Sequence, residues 1–194
     1  MNEQGSNGKA ATLLSAPRLV ARLFFALWPE CASRERLSGW AATLHRSCRG
    51  RRIRDEQLHV TLIFLGGVPL DRVPTVVQTA DRLTCPTFTL RFSRPGYWAK
   101  KRLAWAAPEE VPGSLATLAR ELGSMLKEAG FSVEDRPYFP HATLLRDARC
   151  LDLPDRFEGF EWRVEDFVLV RSTLTPRSGS QYEVIGRWPL SRAD

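Results

Sequence analysis

The chain has 194 residues, with 43% hydrophobic and 26% charged side chains, the balance of a soluble globular protein of one domain or of two similar lobes. No apolar run approaches the roughly 18 residues of a membrane span, which argues against a helical membrane protein. The formal net charge is +6, with 24 Arg against 4 Lys; the arginine excess fits either phosphate recognition or codon bias in a high-GC genome, and the basic charge only suggests an anionic partner.

Residues 1–17 are polar, small and aperiodic and predict a disordered extension, with order beginning near Arg18. RLVARLFFALW (18–28) predicts a strand, closed by Pro29. Leu37, Trp40, Ala41 and Leu44 recur at helical spacing between Glu30 and about Arg46. RRIRDEQLHVTLIFLGG (51–67) predicts an approach loop, a strand and a stop at Gly66–Gly67. The pattern over 69–83 is helical, with Pro74 either near the helix start or breaking it. TFTLRF (87–92) alternates like a strand, and GYWAKKRLAWAA (96–107) predicts a hairpin turning near Lys100–Lys101. VPGSLATLARELGSMLKEAGF (111–131) is the clearest helix, stopped by Gly130. Strands follow at 138–146, 162–174 and 180–190, the last two joined by the turn-rich TPRSGS. This order predicts an α+β fold with mainly antiparallel sheets.

Cys31, Cys48, Cys85 and Cys150 show no C-x-x-C pair or zinc-ligand spacing. They predict four reduced thiols in a cytoplasmic protein.

Two of the three histidines open a repeated tetrapeptide: His59-Val-Thr61-Leu and His141-Ala-Thr143-Leu. The copies lie 82 residues apart, each closing a strand–helix–strand unit, which suggests two lobes of similar shape. In a strand, residues i and i+2 share a face. His59 and Thr61 therefore point together, as do His141 and Thr143, while Val60, Leu62, Ala142 and Leu144 point to a core. One such histidine in an apolar strand is ordinarily a packed core residue with one hydrogen bond. Two copies point to chemistry, because a neutral and a protonated imidazole can act as base and acid near neutral pH. Hydroxyls and an arginine beside them suit the non-bridging oxygens of a phosphodiester. Neither a metal nor another cofactor is expected. His45, in ATLHRSC, reads as a surface or capping residue.

The paired motifs, with FLG after the first and Pro before the second, resemble the two-histidine phosphoesterase superfamily. Within it, the pattern is similar to the bacterial and archaeal RNA 2′,3′-cyclic phosphodiesterases, formerly called 2′-5′ RNA ligases. RLFFALWP (22–29), RLAWAA (102–107) and VLVRSTL…GSQYEVIGRWPL (168–190) carry the resemblance across residues 18–190. It implies one bilobal domain with pseudo-two-fold symmetry and a central cleft. It also implies hydrolysis of a 2′,3′-cyclic phosphate at an RNA end to a 2′-phosphate. By similarity His141 is the general base and His59 the general acid. Thr61, Thr143 and Arg146 hold the phosphate, and Phe64 stacks on the terminal base. Phe64 and Arg146 each stand five residues after their histidine, the wrong parity for the cleft unless the strand ends or bulges first.

RGRRIR (49–54) reads either as a solvated loop or as a track for an RNA backbone. Lys100, Lys101 and Arg102 suggest a basic hairpin tip, and Tyr97 and Trp98 either core or stacking positions, with core favoured for Trp98. A monomer acting on RNA ends is expected. Alternatives are 2′-5′ ligation in the same cleft, a small cyclic nucleotide or ADP-ribose cyclic phosphate as substrate, and RNA-end binding without turnover.

Overall fold

The computed structural model describes residues 19–175 and 179–191. The expected extension at 1–17 and the middle of TPRSGS lie outside those residues.

The elements run β1 (Val20–Leu27), α1 (Cys31–Cys48), β2 (Arg51–Arg52), β3 (Val60–Pro69), α2 (Val73–Asp81), β4 (Phe88–Trp98), β5 (Leu103–Pro108), α3 (Gly113–Glu128), β6 (Ala142–Arg146), β7 (Phe160–Val164), β8 (Asp166–Thr175) and β9 (Gly179–Pro189). They form one sheet in the order β7-β4-β5-β6-β3-β1-β8-β9, with β2 added beside β6. All strand pairs are antiparallel, as the α+β reading anticipated.

The sheet has two halves, β9-β8-β1-β3 and β7-β4-β5-β6. They meet where Val60 of β3 pairs with Ala142 of β6. In the first half β1, α1 and β3 form a strand–helix–strand unit, and β5, α3 and β6 repeat it in the second. The helices cross between halves: α1 leaves β1 and packs on β6, β7 and β5, while α3 leaves β5 and packs on β3. Each helix thus buries its apolar stripe against the other half's strands. Leu37, Ala41 and Leu44 of α1 and Leu115, Leu118, Leu122 and Leu126 of α3 are fully buried. At about 1.5–3 kcal/mol per buried leucine, these contacts bind the halves far more strongly than the short β3–β6 pairing does.

Several elements differ from the sequence reading, and the strand expected at 138–146 begins only at Ala142. The strand β3 runs through Gly66–Gly67 to Pro69. The expected segments 87–92 and 96–98 are one strand, β4. The expected strand 162–174 divides at Glu165 into β7, which pairs with β4, and β8, which pairs with β1. One apolar run thus serves both halves.

The cysteine expectation also needs correction. Cys48 and Cys150 form a disulfide, while Cys31 and Cys85 are free. Their separation of 102 positions in the sequence conceals a proximity made by the fold. The end of β6 returns past the end of α1, and the Arg149 amide donates to the Cys48 carbonyl at 2.7 Å.

Candidate active site

The pairing of Val60 with Ala142 fixes the relation of the two motifs. Continued one residue either way, the antiparallel register sets His59 opposite Thr143 and Thr61 opposite His141. The backs of the strands are sealed, with Val60 and Ala142 fully buried. The two imidazoles and two hydroxyls therefore share one face. His59 and His141 are diagonal neighbours there, at a backbone spacing of roughly 7–8 Å.

Local backbone geometry orients both rings in the same way. His59 Nδ1 lies 2.7 Å from the Gln57 carbonyl, and His141 Nδ1 lies 2.9 Å from the Phe139 carbonyl. A carbonyl only accepts, so Nδ1 carries the proton and Nε2 is left to the cleft. Gln57 has a second task, because its side-chain amide donates to the Ser180 carbonyl at 2.5 Å, tying this loop to β9.

Aromatic rings surround each imidazole. Trp28 stacks on His59 with an interplanar angle of 8°, and Phe24 and Tyr182 close two further sides at 5.0 and 5.5 Å. Around His141 stand Trp98 at 4.7 Å and Phe139 at 5.8 Å. Burial among these rings disfavours the charged form. It pushes His59 down to about 4, with Arg146 and His141 adding to the depression and the Gln57 carbonyl opposing it. His141 is lowered by the same desolvation, with smaller effects from Arg136 and Lys101. Both imidazoles are therefore neutral at pH 7 in the free protein.

The parity problem at Phe64 and Arg146 is resolved by two bulges. In β3, Thr61 pairs with Ala26 and Ile63 with Phe25, so Leu62 is the extra residue. In β6, Thr143 pairs with Trp105 and Leu145 with Ala104, so Leu144 is the extra residue. Both bulges fall on the leucine of the tetrapeptide. After each bulge the next residue keeps to the core and the one after returns to the cleft face. Phe64 accordingly pairs with Phe24, which touches His59. It is 42% exposed, with the Arg22 guanidinium 4.7 Å above its ring. Arg146 is exposed and its charge acts on His59.

Sequence reasoning missed several neighbours. Arg51 stands opposite Arg146, because RGRRIR is not merely a loop: Arg51–Arg52 forms β2 against β6. Arg52 points the other way, to Ser38 of α1. Gly50 permits this approach. Its φ is +85°, and a Cβ there would stand 2.6 Å from the Arg146 carbonyl oxygen. A Gly just before an Arg-rich run was the available signal. Trp28, Phe24 and Tyr182 sat inside strands with nothing in the sequence to mark them. Trp98 borders the cleft beside His141, contrary to the core reading. Tyr97 packs against the core and donates to the Ala148 carbonyl at 2.8 Å. Lys101 of the hairpin tip reaches the cleft and lies 5.1 Å from the Trp98 ring centre. His45 serves locally, with Nε2 3.1 Å from the Gly50 carbonyl. Among the described residues, no three His, Cys, Asp or Glu side chains gather to hold a metal ion, and no helix is long and apolar enough to cross a membrane.

Comparison with known proteins agrees with this fold. The family model described as LigT-like phosphoesterase matches twice, over residues 27–105 and 106–179, so each match contains one His-x-Thr motif. The RNA 2′,3′-cyclic phosphodiesterase of Escherichia coli strain K12 is 34% identical over 88% of this chain and 97% of its own length. The protein of that name from Thermus thermophilus is 33% identical over 87% and 90%. The crystal structure of E. coli LigT in apo form superposes with a TM-score of 0.80 at 32% identity, covering 89% of this chain and 99% of that one. LigT complexed with 3′-AMP gives 0.81 at 32% identity, covering 90% of this chain and all of that one. With the duplicated match, the shared fold and the paired motifs in agreement, the chain belongs to the LigT-like phosphoesterase family.

Proposed function

We propose that the protein hydrolyses the 2′,3′-cyclic phosphate at an RNA end to a 2′-phosphate, without a metal. The observation that carries this reading is the symmetric setting of the two imidazoles on one face of the seam, each with Nδ1 bound to a backbone carbonyl so that Nε2 is the nitrogen left for chemistry. The name of the relatives supplies the substrate class.

In this reaction His141 Nε2 removes a proton from water. The water oxygen attacks phosphorus, and the bond from phosphorus to the ribose 3′ oxygen breaks. Protonated His59 gives its proton to that leaving oxygen, and the products are a 2′-phosphate and a 3′ hydroxyl. Thr61 and Thr143 donate to the non-bridging oxygens, and Arg146 balances the charge that builds there. Arg51 adds a second guanidinium on the same face. Phe64 stacks on the terminal base.

The depressed His59 is suited to this only with substrate bound. A phosphodiester anion between the motifs offsets Arg146 and favours the imidazolium, so His59 takes up its proton as the complex forms.

One chain supplies both motifs, so the reading requires only a monomer. RNA as substrate favours the cytoplasm, although the Cys48–Cys150 bridge removes the cysteine argument for that compartment.

Single His59→Ala and His141→Ala variants test the reading. Each is expected to lose at least about a hundredfold in kcat on an RNA with a 2′,3′-cyclic phosphate end, with much smaller changes in affinity for the product. A near-normal rate in either variant overturns it.

A further inference from the structure

A groove opens from the candidate site. It begins at Thr61, Phe64 and His141 and runs between α3 and the segment 133–139. It encloses about 750 Å³, in the upper part of the roughly 300–1,000 Å³ range of small-ligand sites, and more than one stacked base would fill. Small residues at Ala116, Ala119 and Gly123 leave the space open. On the other crossing helix, α1, Trp40 instead stacks on Phe157 at 4.2 Å.

The groove wall is cationic. Lys101, Arg120, Lys127 and Arg136 line it, against the carboxylates of Glu134 and Asp135. Lys127 pairs with Asp135 at 3.3 Å, Arg136 with Glu134 at 3.0 Å and Arg120 with Glu121 at 3.7 Å. These are surface pairs of little net worth, readily exchanged for a phosphate. Aromatic rings stand at the mouth: Phe64, Trp98 and Phe139. Rings at the mouth and cations along the wall suit a single strand, whose bases stack and whose phosphates need counter-charge.

We infer that this groove seats the RNA strand on the 5′ side of its cyclic phosphate, holding at least the penultimate nucleotide. The inference rests on the hydrolase reading above. It follows from continuity: a strand whose 3′ end occupies the His59–His141 cleft can continue only toward its 5′ side, and the groove leaves that cleft directly. The site would then favour an RNA end over a free cyclic mononucleotide.

The test compares kcat/KM for a four-nucleotide RNA ending in a 2′,3′-cyclic phosphate with that for a mononucleotide 2′,3′-cyclic phosphate. It uses the full chain and an Arg120→Gln/Lys127→Gln double variant; Gln removes charge at little cost to the helix. The expected result is a wild-type preference for the RNA that falls about tenfold in the double variant. The salt dependence for RNA should also weaken, by about 0.7 in log–log slope for each phosphate that the variant no longer neutralises. Because the readout is a ratio, loss of folded protein lowers both rates and leaves it unchanged. An unchanged ratio and salt slope, with both substrates turned over, overturn the groove inference alone. No turnover of either substrate by the wild-type chain overturns the hydrolase reading and the inference with it.

Discussion

Val60 of β3 and Ala142 of β6 face each other across the seam between the half-sheets, and this pairing sets both histidines and both threonines on one face. Ala142 is fully buried, so a larger side chain must push the seam apart. Ala142→Leu is expected to cost about 1–3 kcal/mol of stability. It should also lower kcat more than KM rises, because the two histidines, the proposed acid and base, separate. Urea unfolding and steady-state kinetics on the same preparation check this; an unchanged kcat with lowered stability would show that the seam does not set the spacing.

The half-buried, neutral His59 makes stability depend on pH in a defined direction. Its folded value is about 4, against the ordinary 6.5. Between those limits the unfolded chain binds the extra proton, so stability falls as pH drops from about 6.5 toward 4. Each proton taken up contributes about 1.4 kcal/mol per pH unit. His59→Gln should flatten the unfolding free energy across that window, as urea titrations at several pH values would reveal. A slope unchanged by the substitution would mean that His59 is not held neutral.

The same depression separates two kinetic profiles. The free enzyme governs kcat/KM and the complex governs kcat. The bell for kcat/KM should be centred on the acid side of 6.5, since both histidines are lowered in the free protein. The bell for kcat should lie at higher pH, because the bound phosphate anion raises both. Coincident bells would contradict the role given to the anion.

Phe64 reaches the cleft face only because Leu62 bulges out of register. Phe64→Ala should weaken binding by about 1–3 kcal/mol, the usual range for a lost base stack, mostly as a rise in KM. Phe64→Trp should restore most of it. A fall in kcat alone would place Phe64 in chemistry and not in base stacking.

Thiol titration of the denatured, unreduced protein should count two groups, Cys31 and Cys85, since Cys48 and Cys150 are bridged. Reduction should then lower stability by about 2–5 kcal/mol. Four free thiols would contradict the bridge.

The His-x-Thr pairs were legible in the sequence because alternation in a strand is local, and the same parity rule exposed the difficulty at Phe64 and Arg146. Its solution was not legible: a bulge depends on the partner strand, here Ala26–Phe25 for β3 and Trp105–Ala104 for β6. Glu165 could not be seen as a strand break, since the residues on either side look alike and only their pairing with β4 or β1 separates them. The rings around His59 come from β1, its end and β9, and the Cys48–Cys150 bridge spans 102 residues. No local pattern encodes such distant contacts.

The central claim is that the two motifs hydrolyse a cyclic phosphate by proton transfer alone. Its most direct test is to incubate the purified chain, in EDTA, with a short RNA ending in a 2′,3′-cyclic phosphate and to identify the product end. The account predicts full activity and a 2′-phosphate with a free 3′ hydroxyl. A 3′-phosphate product, or activity abolished by EDTA, would contradict it.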